Sequence, residues 1–232
     1  MDYSNSGAVP GAYGVRLRAS KLAAAVLGAA AAVAALPAVA ETRIAALGDS
    51  LVQGFGLPEE QGFVPQLEAW LHANGADDVT VINAGVSGDT TAGGRARVDW
   101  VLADDPDAVI VALGGNDLLR GLDPAETRAN IDAILEQIDA HGLPVLLAGL
   151  PAPANYGPEY KADFDAIWPE MAAEYDAILY PNFLAGIGER LEDSRTRDLM
   201  QDDGIHPNAA GVEAMVEHIG PYVLDLVGQA EE

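Results

Sequence analysis

Six consecutive apolar residues, Ala108-Val-Ile-Val-Ala-Leu113, constrain the fold of this chain more than any other stretch. A strand with one face in water alternates apolar and polar residues. An unbroken run belongs instead to a sheet covered on both faces, which is the habit of parallel sheets flanked by helices. Four further runs read as strands: Arg43–Leu47, Val79–Ile82, Pro144–Leu150 and the short Ala177–Tyr180. Helical patterns separate them. Phe63, Leu67, Trp70 and Leu71 recur at helical spacing within Phe63–Asn74, and a second helix is expected over Thr91–Leu102. Strands alternating with helices predict an α/β parallel sheet with right-handed crossovers. No internal repeat or second domain is visible, and 232 residues suffice for one full core.

The helix ends are marked by particular residues. Asp123-Pro124-Ala125-Glu126 predicts an N-cap at Asp123, proline in the first turn and an acid at the capping-box position. Ile131, Ile134, Leu135 and Ile138 predict its buried face, and His141-Gly142 its end. A loop is expected over Pro151–Tyr160, then a helix over Lys161–Tyr175 with a kink or break at Pro169. Phe183–Leu199 reads as two short helical pieces. Asn208 is expected to cap the last helix, to about Leu226.

The first forty residues are of a different kind. Arg16, Arg18 and Lys21 precede an Ala-, Val- and Leu-rich run, Leu22–Leu36, and then Pro37-Ala38-Val39-Ala40-Glu41. A basic flank, a short apolar run and a small-x-small ending predict a signal peptide over 1–40, cleaved after Ala40, with one domain over 41–232. The competing reading, an uncleaved membrane anchor, is disfavoured because the run is shorter than the roughly 20 residues a span needs, and no stable span is expected in the mature chain. Lys plus Arg number 12 and Asp plus Glu 36, a formal charge of −24. The leader holds three of the cations and one acid, Asp2, which leaves −26 on the remainder. That field disfavours nucleic acid and anionic surfaces as partners. With no cysteine, disulfides and thiolate chemistry are excluded.

Ligands of parallel sheets bind beyond the carboxyl ends of the strands. Ser50 follows the first strand in Gly48-Asp49-Ser50-Leu51, where Gly48 is expected to permit a tight turn. Gly88 follows the second strand and Asn116 the third. Asp203 and His206 lie between the last strand and the last helix. All five therefore fall on one edge. His72, His141 and His218 belong to helices or helix ends, so His206 is the candidate general base. With Gly204 between them, Asp203 can fold back onto the imidazole and leave its other nitrogen to Ser50; Asp202 is the competing acid. A backbone N–H at Gly88 and the Asn116 amide suit an oxyanion hole. Asp49 and Asp117 are expected to brace their loops. Tyr156 and Trp168 are candidates to line an acyl pocket or to pack in the core.

Gly48-Asp49-Ser50-Leu51, then Gly88, then Gly114-Gly115-Asn116-Asp117, then Asp203-x-x-His206, resembles the four sequence blocks of the SGNH (GDSL) hydrolase superfamily. The closer likeness, carried by Asn83-Ala-Gly-Val-Ser-Gly-Asp-Thr90, Gly114-Gly-Asn-Asp-Leu-Leu-Arg-Gly121, Pro153-Ala-Asn-Tyr-Gly157 and Met200-Gln-Asp-Asp-Gly-Ile-His-Pro-Asn208, is to the bacterial periplasmic thioesterase I/lysophospholipase L1 group, which includes arylesterases. The resemblance covers about 43–226, and the segment Gln53–Glu59 departs from it. It implies a three-layer flavodoxin-like fold with a five-stranded sheet of order 2-1-3-4-5. It implies Ser50 as nucleophile, His206 as base, Asp203 as its orienter, and an oxyanion hole from the Ser50 and Gly88 amides and the Asn116 side chain. No cofactor or metal is implied. The expected substrate is a small acyl ester or thioester, and the expected state a monomer, periplasmic or secreted. Two other readings stay open on the residues. A metal-dependent phosphoesterase would want several histidines at the sheet edge. A catalytically silent binding module on the same fold would not react with a serine-directed phosphonate.

Overall fold

The computed structural model describes residues 41–188 and 194–231. The expected leader lies outside the described residues. In chain order the elements are β1 (Thr42–Gly48), α1 (Ser50–Gln53), α2 (Phe63–Ala73), β2 (Val79–Gly85), α3 (Thr91–Leu102), β3 (Ala108–Ala112), α4 (Gly115–Leu119) and α5 (Pro124–Asp139). They continue with β4 (Val145–Ala148), α6 (Pro158–Glu174), β5 (Ile178–Tyr180), α7 (Ser194–Asp198) and α8 (Ala209–Ala230). The five strands form one sheet in the order β2-β1-β3-β4-β5, all pairs parallel. This is the predicted architecture.

The alternation within strands explains the three layers. Ile44 and Ala46 of β1 and Ala108 and Ile110 of β3 face α2 and α8; Ala45, Leu47, Val109 and Val111 face α3, α5 and α6. Every residue of β3 is buried, as the unbroken apolar run requires. Ile131, Ile134, Leu135 and Ile138 of α5 are fully buried, each contributing about 1.5–3 kcal/mol relative to exposure. Asp123 caps that helix by accepting the Ala125 N–H, with Pro124 at its first position.

β2 is an edge strand, and side chains occupy three of its outward backbone groups. Glu68 of α2 accepts the Val81 N–H at 2.8 Å, and His72 Nε2 donates to Val79 O at 2.7 Å. Asn83 Oδ1 accepts the Gly85 N–H at 3.0 Å.

Several boundaries differ from the sequence reading. The turns after β1 and β3 wind directly into the short helices α1 and α4, which were expected as loops. α6 begins at Pro158, not Lys161, because proline at the first helical position sacrifices no bond. It runs through Pro169 without a break, held by the buried Phe164, Ile167, Trp168 and Met171. α8 likewise passes Pro221 and reaches Ala230. Of the two helical pieces expected within Phe183–Leu199, a 3-10 turn at Ala185–Ile187 and α7 are described, while 189–193 lie outside the described residues.

Candidate active site

Ser50, Gly88, Asn116 and His206 line one cleft of about 850 Å³ at the carboxyl edge of the sheet. Asp203 stands directly behind His206. The structure thus brings together all five residues singled out in the sequence.

Ser50 is the first residue of α1, so its own N–H has no intrahelical acceptor. Asp49 caps the helix by accepting the Leu51 N–H at 3.0 Å. Gly48 is not in the left-handed region, and what its missing side chain allows is close packing. A Cβ there would collide with Val52 and with Ala112 O, and one at its β2 partner Gly85 would collide with the backbone of Val52 and Gln53. The two glycines let α1 sit down on the strand ends, which sets the height of Ser50.

The Ser50 Oγ–H donates to His206 Nε2 at 2.9 Å. His206 Nδ1–H donates to Asp203 Oδ2 at 2.6 Å. The acceptor-only carboxylate fixes that tautomer. The other carboxylate oxygen accepts two backbone N–H groups, Ile205 at 2.9 Å and His206 at 3.0 Å. These three bonds, His206 foremost, hold the Asp203 pKa down to about 2. Gly204, at φ +66°, permits the fold-back. Asp202 is exposed and accepts no hydrogen bond among the described residues. The Phe55 ring packs on the imidazole with centroids 4.6 Å apart.

Asn116 lies in α4. Its Nδ2 donates to Asp49 Oδ2 at 3.2 Å. Asp49 is 3% exposed, and burial pushes its carboxyl up from the usual range against the opposing effect of these donors. Gly114, before α4, has φ +101° and faces the Trp168 ring, so a side chain fails there twice. Asp117 is buried and accepts from Thr91 N–H, Thr91 Oγ1 and Thr127 Oγ1. Asp49 and Asp117 brace their segments as expected, though these are the cap of α1 and the body of α4 and not loops.

Gly88 turns at φ +84° in the loop after β2. Three side chains that the sequence reading passed over hold this region. The Arg97 guanidinium donates to Asp89 Oδ2 (2.6 Å), Ala84 O (2.7 Å) and Gly48 O (2.8 Å), tying the β1 end, the β2 end and the Gly88 loop together. Arg120 donates to Gly88 O at 2.7 Å, and Ser87 Oγ to Gln53 Oε1 at 2.7 Å. On the His206 side, Gln201 Nε2 donates to both Phe55 O (2.8 Å) and Pro207 O (2.9 Å). A signal for Arg97 existed: it falls on the stripe of Gly94, Val98 and Val101, a cation on the buried face of its helix.

Trp168 and Tyr156 do not line the cleft. Trp168 is 2% exposed and packs against Phe164, while Tyr156 stacks on Tyr160. The apolar walls are Leu51, Phe55, Leu118, Leu119, the Leu150–Ala154 run, Leu184, Ile187, Met200 and Ile205, and Ser87, Lys161, Asn182 and Thr196 add polar groups to the lining. The remaining histidines lie elsewhere: His72 on Val79 O, His141 on Gln137 O, and His218 beside Tyr180.

Residues 46–214 match the GDSL-like Lipase/Acylhydrolase family. Esterase TesA of Pseudomonas aeruginosa is 39% identical over 182 residues, covering 78% of this chain and 87% of that protein. Thioesterase 1/protease 1/lysophospholipase L1 of Escherichia coli is 37% identical over 172 residues, covering 74% and 78%. The crystal structure of TesA superposes with a TM-score of 0.72 at 38% identity, covering 80% of this chain and 99% of that one. The psychrotrophic esterase EstA from Pseudoalteromonas sp., solved as inhibited by monoethylphosphonate, superposes at 0.72 with 30% identity, covering 81% and 99%. The chain belongs to the GDSL-like lipase/acylhydrolase family, and with it to the hydrolases that act on ester bonds.

Proposed function

We propose that this chain is a serine hydrolase of fatty-acyl or aryl esters and thioesters, working through an acyl-enzyme on Ser50. Ser50 Oγ attacks the carbonyl carbon while His206 Nε2 takes its proton. Asp203 holds the imidazole by its Nδ1–H and stabilises the imidazolium that forms. The carbonyl oxygen, gaining charge, is met by the Ser50 and Gly88 N–H groups and by the Asn116 N–H not given to Asp49. His206 then returns its proton to the departing alkoxide or thiolate. In the second half-reaction water, activated by His206, releases the carboxylic acid. The observation that carries this reading is the relay of 2.9 and 2.6 Å from Ser50 through His206 to Asp203. The apolar cleft supports an acyl substrate, and the names of the relatives support esters and thioesters.

The test is labelling by a fluorophosphonate followed by peptide mass mapping. The adduct is expected on Ser50, absent in Ser50→Ala, with hydrolysis of p-nitrophenyl esters lost in parallel. Esterase activity that survives Ser50→Ala would overturn the assignment. Loss of activity on chelation, restored by added metal, would favour the phosphoesterase instead. We also propose export by way of the leader, with a mature N-terminus at Glu41. No helix among the described residues is long and apolar enough to cross a membrane. N-terminal sequencing of the protein from the producing cell checks this.

A further inference from the structure

The run Leu150–Ala154 lines the cleft beyond the end of β4. It adjoins the Asn116 loop, with Leu150 Cδ2 3.8 Å from where a Cβ on Gly115 would stand. Pro151 and Pro153 have no N–H, so between them Ala152 has the sole backbone donor. No strand pairs with it. One face of α6 supplies the partners instead. Asp165 Oδ1 accepts the Ala152 N–H at 2.7 Å. Lys161 Nζ donates to Ala152 O at 2.6 Å and to Asp165 Oδ2 at 2.6 Å. Trp168 Nε1 donates to Leu150 O at 3.2 Å. Lys161, Asp165 and Trp168 are spaced four and three residues apart, so they share a helix face. Ala152 is 2% exposed, so its two polar groups have these side chains in place of water.

This inference rests on the hydrolase reading above. In that reading the leaving group must lie where His206 can protonate it. The acyl chain then extends to the other side of Ser50, past Asn116, toward Leu118 and the Leu150–Ala154 wall. A wall held in advance lets a long chain bind without first ordering it, and the ordering cost falls only on chains long enough to touch it. We propose that Lys161 and Asp165 are positioning residues for chain-length specificity: by engaging both polar groups of Ala152 they fix the wall that long acyl chains contact.

The experiment measures kcat and KM of the full chain on p-nitrophenyl acetate, octanoate and dodecanoate. In Lys161→Met and in Asp165→Ala the dodecanoate-to-acetate ratio of kcat/KM is expected to fall about tenfold or more, chiefly through KM. Asp165→Asn keeps an acceptor for the Ala152 N–H and is expected to hold the ratio within about threefold of the parent. Glu170→Ala, also on α6 but outside the cleft lining, removes an ion pair with Arg128 of α5 and is expected to leave the ratio unchanged. The Lys161 and Asp165 side chains are 38% and 35% exposed, and melting temperatures of the variants show which ratios come from folded protein. A ratio held near the parent value in folded Lys161→Met overturns the proposal, as does an equal shift in Glu170→Ala. If the parent hydrolyses none of the three esters, the hydrolase reading fails first. If it hydrolyses them and the ratio stays, only the wall assignment fails.

Discussion

Asp49 and Asp203 serve the same cleft from two regions built in opposite ways. Asp49 is 3% exposed, belongs to the sheet edge, and has its pKa raised by burial. Asp203 is exposed, belongs to a loop before α8, and is held at about 2 by three local hydrogen bonds. The Ser50 side is wired into the core through Arg97, Asp117 and the paired Gly48 and Gly85. The His206 side is closed within four residues, Asp203–His206, and is tied to the rest chiefly by Gln201 and Asn208. On the first side, chemistry and stability share the same bonds. On the second they are separable.

The sharpest way to break this contrast is Asp203→Asn. It presents an amide to His206 and disturbs no core bond. We expect kcat to fall by up to ~10⁴, as in the best-known triad, with the fold retained. Asp202→Asn, outside the network, is expected to cost less than about tenfold. A reversal of the two effects would reassign the orienting carboxylate. Asn116→Ala comes next. We expect kcat to fall by about 10²–10³, or about 3–4 kcal/mol of transition-state stabilisation, with KM little changed. Because Asn116 also satisfies the buried Asp49, stability should fall too, by about 1–3 kcal/mol. A fully active, fully stable variant would remove Asn116 from both roles.

Arg97→Lys tests the wiring itself. One ammonium cannot replace the fork that reaches Gly48 O, Ala84 O and Asp89 together. Stability is expected to drop by about 1–3 kcal/mol and kcat by about tenfold. Loss of stability alone would make Arg97 purely structural.

The smallest effect is on pH. The Asp203 pKa is lowered from an ordinary 3.8 to about 2 on folding, so the unfolded chain takes up that proton first as pH falls. Its stabilisation is complete above 3.8 and lost as pH drops toward about 2. Asp49 has the opposite sign. Its raised pKa makes ionisation unfavourable to folding as pH climbs above 3.8, and it adds no slope below that value. In urea unfolding across the acid range, Asp203→Asn should flatten the limb between 3.8 and about 2, while Asp49→Asn leaves it in place.

The parts legible in the sequence were those written in local periodicity. Ala108–Leu113 announced a doubly covered strand, and Asp123-Pro124 announced the start of α5. Ser50, Gly88, Asn116, Asp203 and His206 were found because each follows a strand or precedes a helix at one sheet edge. The unread parts depend on distance in space. Arg97 grips Gly48 O from 49 residues away, a contact that exists only once β1 and β2 lie side by side. Trp168 stayed open between pocket lining and core because an aromatic on a helix carries no mark of which layer it will face. α1 and α4 are too short, at 4 and 5 residues, to show a period.

The covered edge of β2 has a consequence for how the molecule behaves in company. A row of free N–H and C=O groups is a template on which another chain can lay a strand. Here a newcomer would first have to evict Glu68 from Val81 and His72 from Val79, and at the other border β5 offers only three residues to pair with. Fibril seeding by edge-on stacking is therefore opposed at both rims. Glu68→Ala combined with His72→Ala should surrender that defence at the long rim, and the change should register as faster thioflavin-positive aggregation of the still-folded protein.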